Sequence, residues 1–86
     1  MEFNLAIIQW IDSTYYRADY INNIDDIEQI HSRTLISCGF LVYEDDECVV
    51  IAQDQVVSGE AKRLVLSIPK VSIMKLEIFT KKLENF

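Results

Sequence analysis

The residues that could do chemistry in this chain are few, and most of them sit apart from one another. A single histidine, His31, lies among Asp25, Asp26, Glu28 and Ser32. A metal site or an activated nucleophile would need several of these side chains to converge, but adjacent residues in a regular element point in different directions and no second histidine is present. The carboxylates fit a solvated helix face instead. The run Glu44-Asp45-Asp46-Glu47 is rich in oxygen donors, yet it lacks the alternating ligand positions and the glycine of a calcium loop, and it is read as a charged hairpin tip. Gly39 and Gly59 are the only glycines, so no glycine-rich phosphate loop exists. No CxxC, HExxH or nucleophile-elbow motif occurs. The sequence therefore predicts a protein that is not an enzyme and holds neither metal nor cofactor.

Binding chemistry is better represented. Tyr15, Tyr16 and Tyr20 with Arg17 combine flat amphipathic rings with a planar cation, a mixture suited to stacking on a base or anchoring a protein contact. The competing role for the rings is to cover an apolar face of the domain. Arg33, Arg63 and Lys70 complete the candidate ligand-binding set, because a compact anion such as a nucleotide needs only a few such donors. The net charge of −6 opposes general binding to a nucleic-acid backbone, which depends on many cationic contacts.

These side chains have to be positioned by one small domain. Eighty-six residues, half of them hydrophobic, can bury only about 60–65% of the unfolded surface. The excess of apolar residues points to a core shared with a partner, hence to a homo-oligomer. No stretch approaches the ~20 apolar residues of a membrane span, and Glu2 ahead of Phe3 lacks the basic start of a signal peptide, so a cytoplasmic location is expected. Phe3 to Ile11 reads as a strand buried on both faces. The polar, tyrosine-rich connection that follows is predicted to hold one short helix, capped at Asn22 or Asn23, with Ile24, Ile27 and Ile30 turned inward.

Thr34 to Tyr43 and Cys48 to Asp54 form a hairpin about Asp45-Asp46. That turn sets Gly39 opposite Ala52, Cys38 opposite Gln53 and Cys48 opposite Tyr43, which leaves the two cysteines too far apart to bridge. One face then carries Ile36, Cys38, Phe40, Val42, Val49 and Ile51; the other carries Gly39, Leu41, Tyr43, Cys48, Val50 and Ala52. Both are apolar, so the second needs a cover. Ala61 to Ile68 is the fourth strand. At Pro69, the only proline, the chain leaves the ladder, makes one 3₁₀ turn and feeds a fifth strand from Ile73 to Phe79. Ile73, Leu76, Phe79 and Leu83 also satisfy a helical spacing, which keeps a helical C-terminus as an alternative. The fold class is thus mainly β, a small five-stranded SH3-like or Sm-like barrel over residues 1–80, with 81–86 as a tail.

Trp10-x-Asp12-Ser13, Ser37-x-Gly39-Phe40-Leu41 before the acidic turn, Cys48-Val49-Val50-Ile51-Ala52, and Ile68-Pro69-Lys70 with Ile73 together give a wider pattern. In these motifs the chain resembles a group of small bacteriophage and prophage proteins over most of its length. It departs from them in the middle, where they often carry a tryptophan and this chain has tyrosines. The resemblance implies an accessory protein that acts by binding in the host cytoplasm, with a counter-defence role. The first expectation is sequestration of a nucleotide-derived immune signal. The alternatives are direct inhibition of a host defence protein and an Sm-like RNA-binding module.

Overall fold

The computed structural model describes residues 1–13 and 33–84. It contains five strands: β1 (Glu2–Asp12), β2 (Arg33–Glu44), β3 (Cys48–Gln55), β4 (Lys62–Pro69) and β5 (Ile73–Lys82). All pairings are antiparallel and fall in one sheet of order β4-β3-β2-β1-β5. The helix expected in the connection after β1 lies outside the described residues.

Burial follows the two-residue period of the strands. On β1, Ala6 and Ile8 are fully buried and Trp10 is half-buried, whereas Ile7 and Ile11 are 41% and 44% exposed. The expectation that this strand is buried on both faces is corrected: its β-branched run pairs on both edges but packs on one side only. The core joins Ala6 and Ile8 to Val49, Ile51 and Ile68, with Leu41, Ile73 and Leu76 against them. Each fully buried Ile or Val contributes about 1.5–3 kcal/mol. Trp10 meets the polar requirement of its indole by donating from Nε1 to Ser37 Oγ at 3.0 Å.

The β2–β3 hairpin differs from its expected register. Phe40, not Gly39, faces Ala52, and Leu41 faces Ile51. Past an irregularity at Val42 the partners become Tyr43–Val50 and Glu44–Val49. The cause is the turn. Asp45 Oδ1 accepts from the N–H groups of Glu47 and Cys48 at 2.8 and 2.9 Å, and the Asp45 N–H donates to the Cys48 carbonyl at 3.1 Å. This widens the loop beyond a two-residue turn. Cys48 therefore pairs with Pro69 and not Tyr43, and Cys38 pairs with Ile7 on β1 and not Gln53. Both thiols are free. The shift also redistributes the faces: Val49 and Ile51 join Leu41 in the core, while Phe40 lies on the opposite side with Leu5 and Ala52.

Gly39 still marks a close approach. A Cβ built on it would stand 2.5 Å from the Ala52 carbonyl oxygen, so the two backbones cross where no side chain fits. Beyond this crossing the strands separate. Among the described residues Arg33 to Gly39 pair only with β1, and Gln55 and Asp54 only with β4.

Pro69 (φ −62°, ψ 135°) ends β4 where no further ladder donor is needed, and the 3₁₀ turn Lys70–Ser72 follows. Strand β5 then runs on to Lys82, which excludes the helical alternative for this stretch. It also brings Lys81 and Lys82, assigned to the tail, into register with Phe3 and Glu2. The alternating Met74, Leu76, Ile78 pattern wins over the helical spacing because β1 offers an edge along its whole length.

Gly39→Ala is expected to destabilise the fold by about 1–3 kcal/mol, since the obstructing atom is a backbone oxygen that cannot rotate away. A urea midpoint equal to that of the unsubstituted chain would contradict this crossing geometry.

Candidate functional site

Three features carry the chemistry of the described surface. The first is the side of the sheet opposite the core. Cross-strand pairing sets Leu5 between Phe40 and Phe79, and Ile7 between Cys38 and Glu77. Phe3 meets Phe40 edge to face, with ring centroids 5.4 Å apart. Leu5, Ile7, Cys38, Phe79 and Lys81 are among the residues that line an open depression of about 350 Å³. Ile7, Ile36, Val65 and Phe79 are all exposed. Such a patch, uncovered by any described element, is the usual mark of a protein-binding surface.

The second feature is the hairpin tip. Besides its two backbone donors, Asp45 accepts from Tyr43 Oη through Oδ2 at 2.9 Å. These hydrogen bonds, those from the Cys48 and Glu47 N–H groups foremost, hold the Asp45 carboxyl below its usual 3.8. The same Asp45 contact pushes the Tyr43 hydroxyl above 10.0. Lys70 closes the cluster: its N–H donates to the Glu47 carbonyl at 2.8 Å, and its Nζ reaches Glu44 Oε2 at 2.9 Å. That pairing raises the Lys70 ammonium above 10.5.

The third feature is Arg63 on β4, whose Nε and Nη2 both donate to Asp54 Oδ2 directly across the β3–β4 ladder. Asp54, Gln55, Val56, Ala61, Lys62 and Arg63 border an open groove of about 380 Å³.

Of the residues singled out from the sequence, Tyr15, Tyr16, Arg17 and Tyr20 lie outside the described residues, as does His31. Arg33 is exposed at the start of β2, in register with Asp12. Arg63 and Lys70 are seven positions apart along β4 and its continuation, about 20 Å or more at strand spacing. Each is already matched with a carboxylate. The described part of the fold thus distributes Arg33, Arg63 and Lys70 along the sheet and does not gather them at one point. No group of three or more potential metal ligands occurs among the described residues. No described helix is long and apolar enough to cross a membrane.

Sequence reasoning did not single out Leu5, Ile7 and Phe79. The signal was present in the unbroken apolar run of β1, which carries more hydrophobic side chains than one face can use. Compared with protein-family models, curated proteins and solved structures, the chain matches none of them.

The hairpin cluster gives a pH signature. Asp45 has a lowered pKa, so its contribution to stability is present above its unfolded value near 3.8 and is lost as pH falls through the lower folded value. Tyr43 and Lys70 have raised values, so theirs is present below about 10 and lost as pH climbs beyond it. The melting-temperature gap between the native chain and Asp45→Asn is expected to be widest between pH 5 and 9 and to narrow below pH 4. A gap that stays constant down to pH 2 would rule out the depressed carboxyl.

Proposed function

We propose that this chain is a non-enzymatic binding protein of the bacteriophage accessory type, which works as a homo-oligomer and docks on a host defence protein. The observation that carries the proposal is the apolar face built from Leu5, Ile7, Phe40 and Phe79. It is opposite the core, and no described element covers it. A patch of aromatic and branched aliphatic groups, rimmed by Lys75, Glu77 and Lys81, has the anatomy of an interface core with a charged rim. Its chemistry suits another protein surface better than a phosphate-bearing ligand.

The architecture we assign to it is an SH3-like or Sm-like barrel. Support comes from the strand order β4-β3-β2-β1-β5, the 3₁₀ connection before β5, and the parting of β2 from β3 at Gly39. Membership of the phage group rests on the Trp10-x-Asp12, Gly39-Phe40-Leu41 and Ile68-Pro69-Lys70 motifs, and the cytoplasm of the infected cell is the location that follows from it.

A second reading is sequestration of a nucleotide-derived signal, favoured by the groove beside Lys62 and Arg63. A phosphate there would have to displace Asp54 from Arg63, which weighs against this reading. The acidic balance and the separation of the described cations weigh more heavily against an Sm-like RNA-binding role.

Two measurements separate these readings. A tagged chain is expected to retain one stoichiometric partner from bacterial lysate, and Ile7→Lys, a change at a 41% exposed position, is expected to release it without changing the circular dichroism spectrum. Equal retention by the variant, or no partner at all, would defeat docking through this face. Calorimetry with cyclic nucleotides and ADP-ribose derivatives is expected to give no heat at micromolar concentration; a saturable signal lost in Arg63→Ala would move the assignment to sequestration.

A further inference from the structure

The split in the sheet frees an edge on β2 and a shorter one on β3, and that of β2 differs from the two outer edges. Both outer edges carry the features that discourage pairing with another chain. Strand β4 has Lys62 and Arg63 at one end and Pro69 at the other, with Leu64 between them at φ 54°, a backbone kink that interrupts a regular ladder. Strand β5 carries Lys75, Glu77, Lys81 and Lys82 along its length. The inner edge of β2 has none of these. Thr34-Leu35-Ile36-Ser37-Cys38 contains no charge, no proline and no glycine, and among the described residues its side away from β1 has no strand partner. Its central residue, Ile36, is 75% exposed, more than any described large hydrophobic residue except Val71.

We propose that this edge pairs with the same edge of a second copy, antiparallel about a two-fold axis at Ile36, and so forms the contact that makes the protein an oligomer. The proposal rests on the homo-oligomeric reading above and specifies its interface. A two-fold contact joins the same patch on both subunits, so the segment must be compatible with itself. With Ile36 opposite Ile36 of the second copy, Leu35 faces the second copy's Ser37 and Thr34 faces its Cys38. No like charges meet. Arg33 falls opposite the second copy's Gly39, and the two arginines stand about 20 Å apart at strand spacing, beyond the ~8–10 Å screening length of physiological salt. The two Ile36 side chains, each in register with Gln9 on the face opposite the core, cover one another.

The pairing has a functional consequence. It creates the continuous strand order β1-β2-β2-β1 across the axis, which sets the two apolar faces side by side. The Leu5, Ile7 and Phe40 patches then form one surface of twice the extent. Docking through that surface gains from two attached sites, and the docking partner meets a dimer and not a single subunit.

The test uses the full chain. Residues directly opposite in an antiparallel pair have Cα atoms about 4.5–5.5 Å apart, within the range a disulfide spans. Ile36→Cys in a Cys38→Ser, Cys48→Ser background is expected to oxidise to a covalent dimer at micromolar protein. Ile11→Cys in the same background, exposed on the same side but on β1, is expected to remain monomeric on a non-reducing gel. Light scattering should give twice the chain mass for the native protein and the single mass for Ile36→Lys, which sets two ammonium groups against each other at the axis. An oligomer in solution that neither cross-links through Ile36→Cys nor dissociates in Ile36→Lys would overturn this interface while leaving association intact. A native protein of single-chain mass would overturn both.

Discussion

The structure depends on one steric constraint, the passage of the β2 backbone across the Ala52 carbonyl at Gly39. An ordinary ladder keeps two strands about 4.8 Å apart along their length and leaves side chains free on each side. Here the approach is so close that a single methyl group would meet the carbonyl oxygen. The ladder between β2 and β3 starts at Phe40 and Ala52, and among the described residues everything N-terminal to that point on β2 pairs with β1 alone. One residue without a side chain thus divides one sheet into two working parts, joined through the second half of β2. Ala6 and Ile8 from the first part can then meet Val49, Ile51 and Ile68 from the second, which is how a sheet with so few buried side chains acquires a core.

The hairpin tip fixes the other end of β2. Asp45 replaces backbone hydrogen bonds that a tight turn would have made, and the extra length of the turn is taken up by the irregularity at Val42. Lys70 then ties the 3₁₀ turn to the tip by one backbone and one side-chain contact. The exposed ion pair on its own adds little to stability. Its geometric effect is greater, because it sets the point from which β5 departs toward its place beside β1. Arg63 and Asp54 make an equivalent cross-strand match further along β4. Arg63 and Lys70, which look like ligand donors in one dimension, are in three matched with carboxylates of neighbouring strands.

The legibility of this fold in its sequence varied with how local the controlling interaction is. Strand identity came through well, because the alternating apolar residues in Leu64 to Ile68 and Met74 to Ile78 favour an extended, paired backbone, even though Ile68 alone among them is buried. The 3₁₀ turn after Pro69 came through because proline imposes it. The hairpin register did not. It depends on whether the Asp45 carboxylate turns back onto Glu47 and Cys48, a choice that four consecutive acidic residues leave undetermined. The close approach of Gly39 to Ala52 was legible, but the register was misjudged by one position, so that Phe40 and not Gly39 pairs with Ala52. The apolar patch was legible only as an excess: β1 has more hydrophobic side chains than one face holds, but Phe79 joins Leu5 only through the β1–β5 register. The tyrosines and Arg17 lie outside the described residues.

The distribution of charge along the strand edges gives the molecule its direction. Among the described residues, charged side chains are frequent on β5, at the start of β4 and at the hairpin tip. The segment from Thr34 to Cys38 is neutral where the Gly39 crossing has freed the edge of β2, and it runs beside Ile7 of the uncovered face. The constraint that builds the core thereby also exposes the edge beside it.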